Sequence, residues 1–411
     1  MTGEMTGGRA LFLAVALAYA GAVEASPGNG IRLGGSSARL HPYLELETRY
    51  DSNIAYSDQG QRESGLVLHL RPGLILESPT DPAAVNFQAD LDWAQYLGKN
   101  ADLSRLFGEA ELGVGVNRRG SLGLELTDAF RRADSTSFMT FGGAIVENTN
   151  DLRVDVPWRP GGGAFVTTVS GGWQLETFEP FSRGRLCTAN TPQCDQTLLS
   201  KLNYNDVNGG LELRWRFLPK TAVVVSGGYW KRLPADSALQ SSASTVRAWG
   251  GLAGLFTNHV AGTVKAGYGS VSNAPGSVAS WLANLEGEWI PTETTSVKTG
   301  YIHDVGIDPG ANGEYTSHRA YLDGRALLSA RYTTLLSLSY EHRSYGGASE
   351  LRGADLLSAA PTAEAEVARW LRVGAGVAFT KRTSKLSGAT PRLPGFSFDK
   401  TEAFVRVRGT Y

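Results

Sequence analysis

Only two cysteines occur, Cys187 and Cys194, and no long apolar run exists after Val23. The second absence excludes helical membrane spans, each of which needs roughly 20 consecutive apolar residues. A charge surplus of either sign is also missing. Lys and Arg number 39 against 40 Asp and Glu, a formal net charge of −1, so there is no case for nucleic-acid binding. The histidines are scattered, and His69, His303, His318 and His342 have no Ser or Asp at a spacing that identifies a triad. A site assembled from several strands would leave no such spacing, but nothing in the sequence points to one, and the chain reads as a non-enzyme without cofactor. No His or further Cys lies near Cys187 and Cys194, which removes a metal reading of that pair. Gly161-Gly162-Gly163 is turn chemistry and not a phosphate cradle, because no helix follows it.

The start of the chain sets the compartment. Arg9 is the only basic residue ahead of an apolar run from Ala10 to Val23, which is too short to span a bilayer and ends in Val23-Glu24-Ala25. The pattern predicts a signal peptide over 1–25 cut after Ala25. The alternative, a buried N-terminal helix, meets Ser26-Pro27-Gly28-Asn29-Gly30 at once, which would stop it. Acidic Glu4 is atypical for such a leader. In an oxidising compartment Cys187 and Cys194 then read as a local disulfide.

What is abundant is glycine, at 50 residues, with 9 Trp and 15 Tyr. An exported protein that crosses a bilayer without helices must be a closed β-barrel, since every backbone N–H and C=O has to be paired inside lipid. The period-two signature of such strands is clearest at the end of the chain. Ala403, Val405, Val407, Gly409 and Tyr411 alternate with Glu402, Phe404, Arg406, Arg408 and Thr410. Leu371, Val373, Ala375, Val377 and Phe379 alternate in the same way with Arg372, Gly374, Gly376, Ala378 and Thr380. In segment 281–289, Trp281 and Trp289 share a face with Ala283, Leu285 and Gly287. They lie about 27 Å apart along a strand, one near each membrane interface.

Such segments number about 18. They run over 40–50, 64–77, 83–97, 104–117, 120–132, 142–157, 164–179, 202–218, 221–233, 243–257, 260–273, 278–291, 294–306, 315–329, 331–345, 354–369, 371–384 and 397–411. Links after even-numbered segments are short, as in Ser78-Pro79-Thr80-Asp81-Pro82, Arg118-Arg119, Pro219-Lys220, Asn258-His259 and Pro291-Thr292-Glu293. Links after odd-numbered ones are mostly longer and polar, as in 51–63, 180–201, 234–242, 307–314, 346–353 and 385–396. Short periplasmic turns alternating with long external loops are the asymmetry of outer-membrane barrels. The expected fold is therefore an all-β, antiparallel transmembrane barrel over 40–411, with 26–39 a periplasmic N-terminal segment and both chain ends on the periplasmic side. The expected disulfide falls in the longest external loop. A soluble propeller would need a repeat of about 40 residues, which is not found, and a sandwich would not show this loop asymmetry.

Tyr50-Asp51-Ser52-Asn53-Ile54 after the first segment and Leu70-Arg71-Pro72-Gly73-Leu74 in the second resemble the opening of the putative β-barrel porin 2 family of outer-membrane proteins. Terminal Tyr411, with apolar residues at alternate positions before it, resembles the assembly signal of outer-membrane barrels in general. The resemblance implies a channel of the bacterial outer membrane, of a type that often accompanies exopolysaccharide synthesis and export. The implied partners are outer-membrane lipid, the barrel-assembly machinery, a periplasmic polysaccharide-export protein and the polysaccharide itself.

About 18 strands leave an aqueous lumen, and the residues expected to line it carry both signs. Arg214 and Arg216 share a face with Glu212, and Arg319, Asp323 and Arg325 share another. Arg372, Arg406 and Arg408 make the last two strands basic, while Asp90 and Asp92, Glu109 and Glu111, Glu286 and Glu288, and Glu364 and Glu366 form acidic pairs. One reading is that these solvate the interior and pair across strands. The other is that they set a field that selects a charged solute. Few aromatics are expected to point inward, with Tyr321 and Phe404 as candidates. The functional expectation is a conduit for exopolysaccharide secretion. The alternatives are a passive porin for small solutes and a plugged adhesion or structural barrel.

Overall fold

The computed structural model describes residues 29–411 apart from 35–36, 58–61, 81–82, 136–144, 181–194, 239, 274–275, 309–312, 347–350 and 387–396. The expected signal peptide and both cysteines, Cys187 and Cys194, lie outside the described residues.

After a two-residue strand, β1 (Ile31–Arg32), the chain forms β2 (Arg39–Asp51), β3 (Gly65–Pro79), β4 (Ala83–Tyr96), β5 (Arg105–Val116), β6 (Leu124–Ser135), β7 (Ile145–Trp158) and β8 (Phe165–Pro180). A short helix, α1 (Gln196–Lys201), precedes β9 (Tyr204–Leu218), β10 (Thr221–Pro234), β11 (Ala243–Leu255), β12 (Val260–Asn273) and β13 (Gly276–Thr292). The rest is β14 (Thr295–Asp308), β15 (Gly313–Ser329), β16 (Tyr332–Tyr345), β17 (Leu351–Ala368), β18 (Leu371–Leu386) and β19 (Phe398–Thr410). Each of β2 to β19 pairs antiparallel with its sequence neighbour, and β19 returns to β2 with Val407 opposite Leu46. Eighteen strands thus close on themselves, and β1 pairs outside the ring with the start of β2. All eighteen sequence segments correspond to a strand, with ends displaced by no more than about four residues.

The alternation has a plain physical cause: one face of each strand meets lipid and the other the lumen. Leu44 and Leu46 on β2, Leu66, Leu68 and Leu70 on β3 and Leu91 and Trp93 on β4 are exposed on the outer face. Glu45, Glu47 and His69 sit at the intervening inward positions. Exposed aromatics cluster toward both strand ends: Trp158, Trp215, Trp289, Tyr332 and Trp370 at the short-turn end, and Trp93, Tyr268, Trp281 and Tyr340 toward the other. These are the girdles expected at the two interfaces.

One turn differs from the sequence reading. The β5–β6 connection is not a two-residue Arg118-Arg119 turn. Asn117 takes a left-handed conformation with φ 51°, and its side chain donates to the Leu122 carbonyl at 2.6 Å. The turn therefore spans 117–123, and β6 begins at Leu124.

The long-loop end is folded inward at several places. Leu199 of α1 packs with Leu202 on Ile145, Phe178 and Tyr204. The helix is started by Asp195, whose carboxylate accepts from the Thr197 and Leu198 N–H groups. The described β13–β14 ladder ends with Ala283 opposite His303. Beyond it Val305 packs on Leu282 and Val271, and Arg247 of β11 donates to the Asp304 carboxylate at 3.0 Å and the Val305 carbonyl at 2.6 Å. These partners alternate with exposed Trp281, Tyr268 and Val246, so the end of β14 leans into the lumen.

Candidate permeation path

The inner faces of β19 and β2 to β5 form one wall of the lumen, dense in paired charge. Arg71 reaches Glu45 at 2.8 Å, Glu47 at 3.3 Å and Asp92 at 3.0 Å. His69 meets Asp92 at 2.9 Å. Arg49 contacts Glu402 at 3.1 Å, and Lys400 contacts Asp51 at 2.9 Å and Glu402 at 3.5 Å. Adjacent strands bring such side chains directly opposite one another. Lys400, Asp51 and Glu47 are only 4%, 3% and 3% exposed, and charges so buried persist only when paired.

Tyr50-Asp51-Ser52-Asn53-Ile54 builds the outer end of this wall. Tyr50 faces outward, whereas Asp51 accepts from the Asn53 N–H at 2.8 Å. The Asn53 side chain donates to the Ser57 and Asp399 carbonyls and accepts from the Ser57 N–H. This turns the chain inward, so that Ile54 packs on Val67, Ala94, Tyr96, Leu103, Phe107 and Val146. Tyr56, at φ 53°, donates to Asp134 at 3.0 Å and lies 4.0 Å under the Lys400 ammonium. Burial pushes its phenol well above its usual range, so it remains a donor. Pro72-Gly73 has a packing role. The Tyr43 ring lies across Gly73, where a Cβ would stand 2.3 Å from Tyr43 Cζ. The Arg408 guanidinium lies over the same ring, 3.8 Å from its centre. The cavity along this wall holds about 360 Å³.

A second wall runs across β6 to β11 and is built differently. Its groove holds about 750 Å³ and is lined by Glu125, Arg153, Asp155, Arg159, Glu212, Arg214, Arg216, Arg247, Trp230 and Trp249 among others. Arg153, Arg214 and Arg216 are exposed to it. Arg153 forks onto Asp155 at 2.7 and 3.0 Å. Arg214 and Lys265 share Glu212 at 3.3 and 3.7 Å.

The expected lining residues fall into separate groups. Glu109, Arg406 and Arg408 line the first wall, with Glu111 two positions along the same strand face. Arg406 pairs with Glu364, and Arg372 lies 3.7 Å from Glu366. Arg214 and Arg216 belong to the second wall. A third group joins Glu286 to Lys298 at 3.0 Å and to the Tyr321 hydroxyl, with Arg319 5.9 Å from the Tyr321 ring. Asp323 accepts from Ser337 at 2.7 Å, while Glu288 and Arg325 stand opposite Lys298 and Ser296. Tyr321 and Phe404 are inward as expected, lying over Gly300 and Gly376. The expectation that few other aromatics point inward is corrected. Tyr43, Tyr96, Phe107, Phe178, Tyr204, Trp230 and Trp249 also take lumen-side positions, held by cross-strand partners that a single strand does not disclose. Sequence reasoning also passed over Glu45, Glu47, Arg49 and Lys400, and named Asp51 and Arg71 only within the motifs of the family resemblance. Their signal was present as charges alternating with Leu44, Leu46, Leu70 and Thr401. His303 and His318 stack with ring centres 4.2 Å apart. Tyr411 donates its backbone N–H to the Pro42 carbonyl at 2.9 Å, tying the chain end to β2.

The family described as "Putative beta-barrel porin 2" matches residues 27–411. The chain belongs to this family. None of the curated proteins compared matches it in sequence. Solved structures similar to this member include the siderophore receptor PirA from Pseudomonas aeruginosa, at 10% identity and TM-score 0.44, covering 93% of this chain and 82% of that one. The outer membrane protein OpdK from Pseudomonas aeruginosa gives 11% identity and TM-score 0.46, covering 90% and 99%. A loop-deleted OmpT, an outer membrane protein of Vibrio cholerae, gives 12% and 0.39, covering 91% and 99%. The protein is an outer-membrane β-barrel of porin type.

Proposed function

We propose that this barrel is a conduit for secretion of an exopolysaccharide, which enters the lumen at the short-turn, periplasmic end. The observation that carries the reading is the second wall, whose wide groove is lined by exposed Arg153, Arg214 and Arg216 and, further along, by Trp230 and Trp249. Sugar rings place apolar faces on indole rings and hydroxyls on polar groups, and a guanidinium fork fits carboxylate substituents. In this reading a periplasmic polysaccharide-export protein delivers the polymer and the barrel-assembly machinery inserts the barrel, with Tyr411 as its signal. Deleting the protein in its host should remove polymer from the cell surface and trap it in the periplasm. Parental levels of surface polymer would sink the proposal. Deleting Tyr411 alone should sharply lower the amount of folded, heat-modifiable barrel.

One observation favours a passive porin for small solutes: the inward turn at Asn53–Tyr56 occupies part of the external mouth. Planar-bilayer conductance together with normal polymer secretion in the deletion strain would establish that second reading. A barrel that conducts no ions is plugged, and both readings then fail.

A further inference from the structure

We infer that the periplasmic end of the second wall holds a binding site for an anionic group, a carboxylate or phosphate carried by the transported molecule, built on Arg159 and Arg216. The inference rests on the conduit reading and adds the charge of the cargo to it.

The two residues are anchored beside the same turn. Arg159 opens the β7–β8 connection, and its backbone N–H donates to the Ser121 carbonyl at 2.6 Å. Arg216 lies on the inward face of β9, and its N–H donates to the Ala164 carbonyl at 2.7 Å. Its Nη2 would stand 4.0 Å from a Cβ on Gly163, in the same connection. Both side chains line the same groove.

Charge accounting leaves these two unmatched. The groove and its edge hold six cations, Arg153, Arg159, Arg214, Arg216, Arg247 and Lys265, of which Arg247 is paired with Asp304, leaving five against three carboxylates, Glu125, Asp155 and Glu212. Asp155 is taken by Arg153, Glu212 is shared by Arg214 and Lys265, and Glu125 lies 3.8 Å from Arg118. Among the described residues no carboxylate lies within ion-pair range of Arg159 or Arg216. Arg159 Nη1 is moreover buried without an acceptor. A shielded guanidinium N–H with no acceptor is costly, and an anion in the groove supplies one. Arginine suits the task because its planar fork holds carboxylate or phosphate oxygens two at a time. A cation surplus at the entrance also concentrates anionic solute before it enters a narrower path.

Calorimetry on the full-length barrel in detergent tests this, with oligogalacturonate, polyphosphate and neutral maltohexaose as probes. At least one acidic probe should bind, and the one that binds more tightly identifies the anion. Loss of these two contacts predicts roughly five- to tenfold weaker binding in R159Q/R216Q. E212Q, which frees Arg214 and Lys265, should bind more tightly, so the proposal does not depend on one variant folding. Maltohexaose binding as well as the acids, or acidic binding unchanged in R159Q/R216Q and E212Q, overturns the site. Bilayer conductance separates this failure from that of the parent reading. A barrel that conducts but shows no acidic preference loses only the site, whereas one that does not conduct loses the conduit.

Discussion

The two lumen walls use the same residue types to opposite ends. On the β19–β5 wall Lys400 and Asp51 are about 95% buried and bonded to each other, and Arg71 is held by three carboxylates. On the β6–β11 wall Arg214 and Arg216 are exposed, the carboxylates are shared, and two cations have none. Burial decides the difference. A charge withdrawn from water must be matched locally and becomes part of the scaffold, whereas one left in the aqueous path remains available to solute. The first wall thus braces the seam where β19 meets β2, and the second leaves charge open to the aqueous lumen.

The largest expected effect breaks the braced wall. Lys400→Met leaves Asp51 buried without its cation, while Glu402 keeps Arg49, and removing one member of such a buried pair costs about 3–5 kcal/mol. The urea midpoint of the barrel in lipid should fall accordingly. K400M/D51N should recover part of the loss, because the stranded carboxylate is then gone. A midpoint within error of the parent in Lys400→Met would show the wall to be more hydrated than its burial implies.

A smaller effect comes from the packing behind that wall. Gly73→Val places side-chain atoms where the Tyr43 ring lies. Overpacking of this sort costs about 1–3 kcal/mol, and it should also free the Tyr43 hydroxyl from Asp90, which it now meets at 3.3 Å. Pairing Gly73→Val with Tyr43→Ala should return most of the stability. Failure of that rescue would mean that the glycine serves the backbone and not the ring.

These positions show what was legible in the sequence. Strand number and limits were, because lipid and water impose a period of two on every span. The β5–β6 turn was not: Leu122 and Leu124 continue an apolar alternation, and the left-handed Asn117 that ends β5 carries no hydrophobic signature. The inward faces of Arg214, Arg216, Arg406 and Arg408 could be read from alternation alone. Which carboxylate each one meets depends on register between strands, as with Arg406 and Glu364 on strands that are not neighbours. Arg159 sits in a turn, where no period applies, and only the folded wall shows it lining the same groove as Arg216.

Ion selectivity separates the walls more finely. R214Q/R216Q removes two exposed cations from the groove, so fixed positive charge in the path falls and permeability should shift toward cations. The shift should be largest at low salt, because exposed charges are screened within about 10 Å at 0.1 M. Reversal potentials in a salt gradient measure it. No shift at low salt would mean that ions travel elsewhere in the lumen.

The smallest effect is expected from R372Q/R406Q/R408Q, although it removes three arginines and not two. Arg406 is paired with Glu364, Arg372 lies near Glu366, and Arg408 is stacked on Tyr43. Each deleted cation again shifts the charge balance toward cations, but Arg406 and Arg408 are only partly exposed and act on the open water less than the exposed Arg214 and Arg216 do. The barrel should still assemble, since Val373, Val405 and Val407 on the lipid face are untouched. The reversal potential should move toward cation preference by less than in R214Q/R216Q, and the gap between the two variants should close as salt rises. If the triple variant instead shifts selectivity more than the double one, the β19 strip governs permeation, and the braced wall, not the open one, is the surface that meets solute.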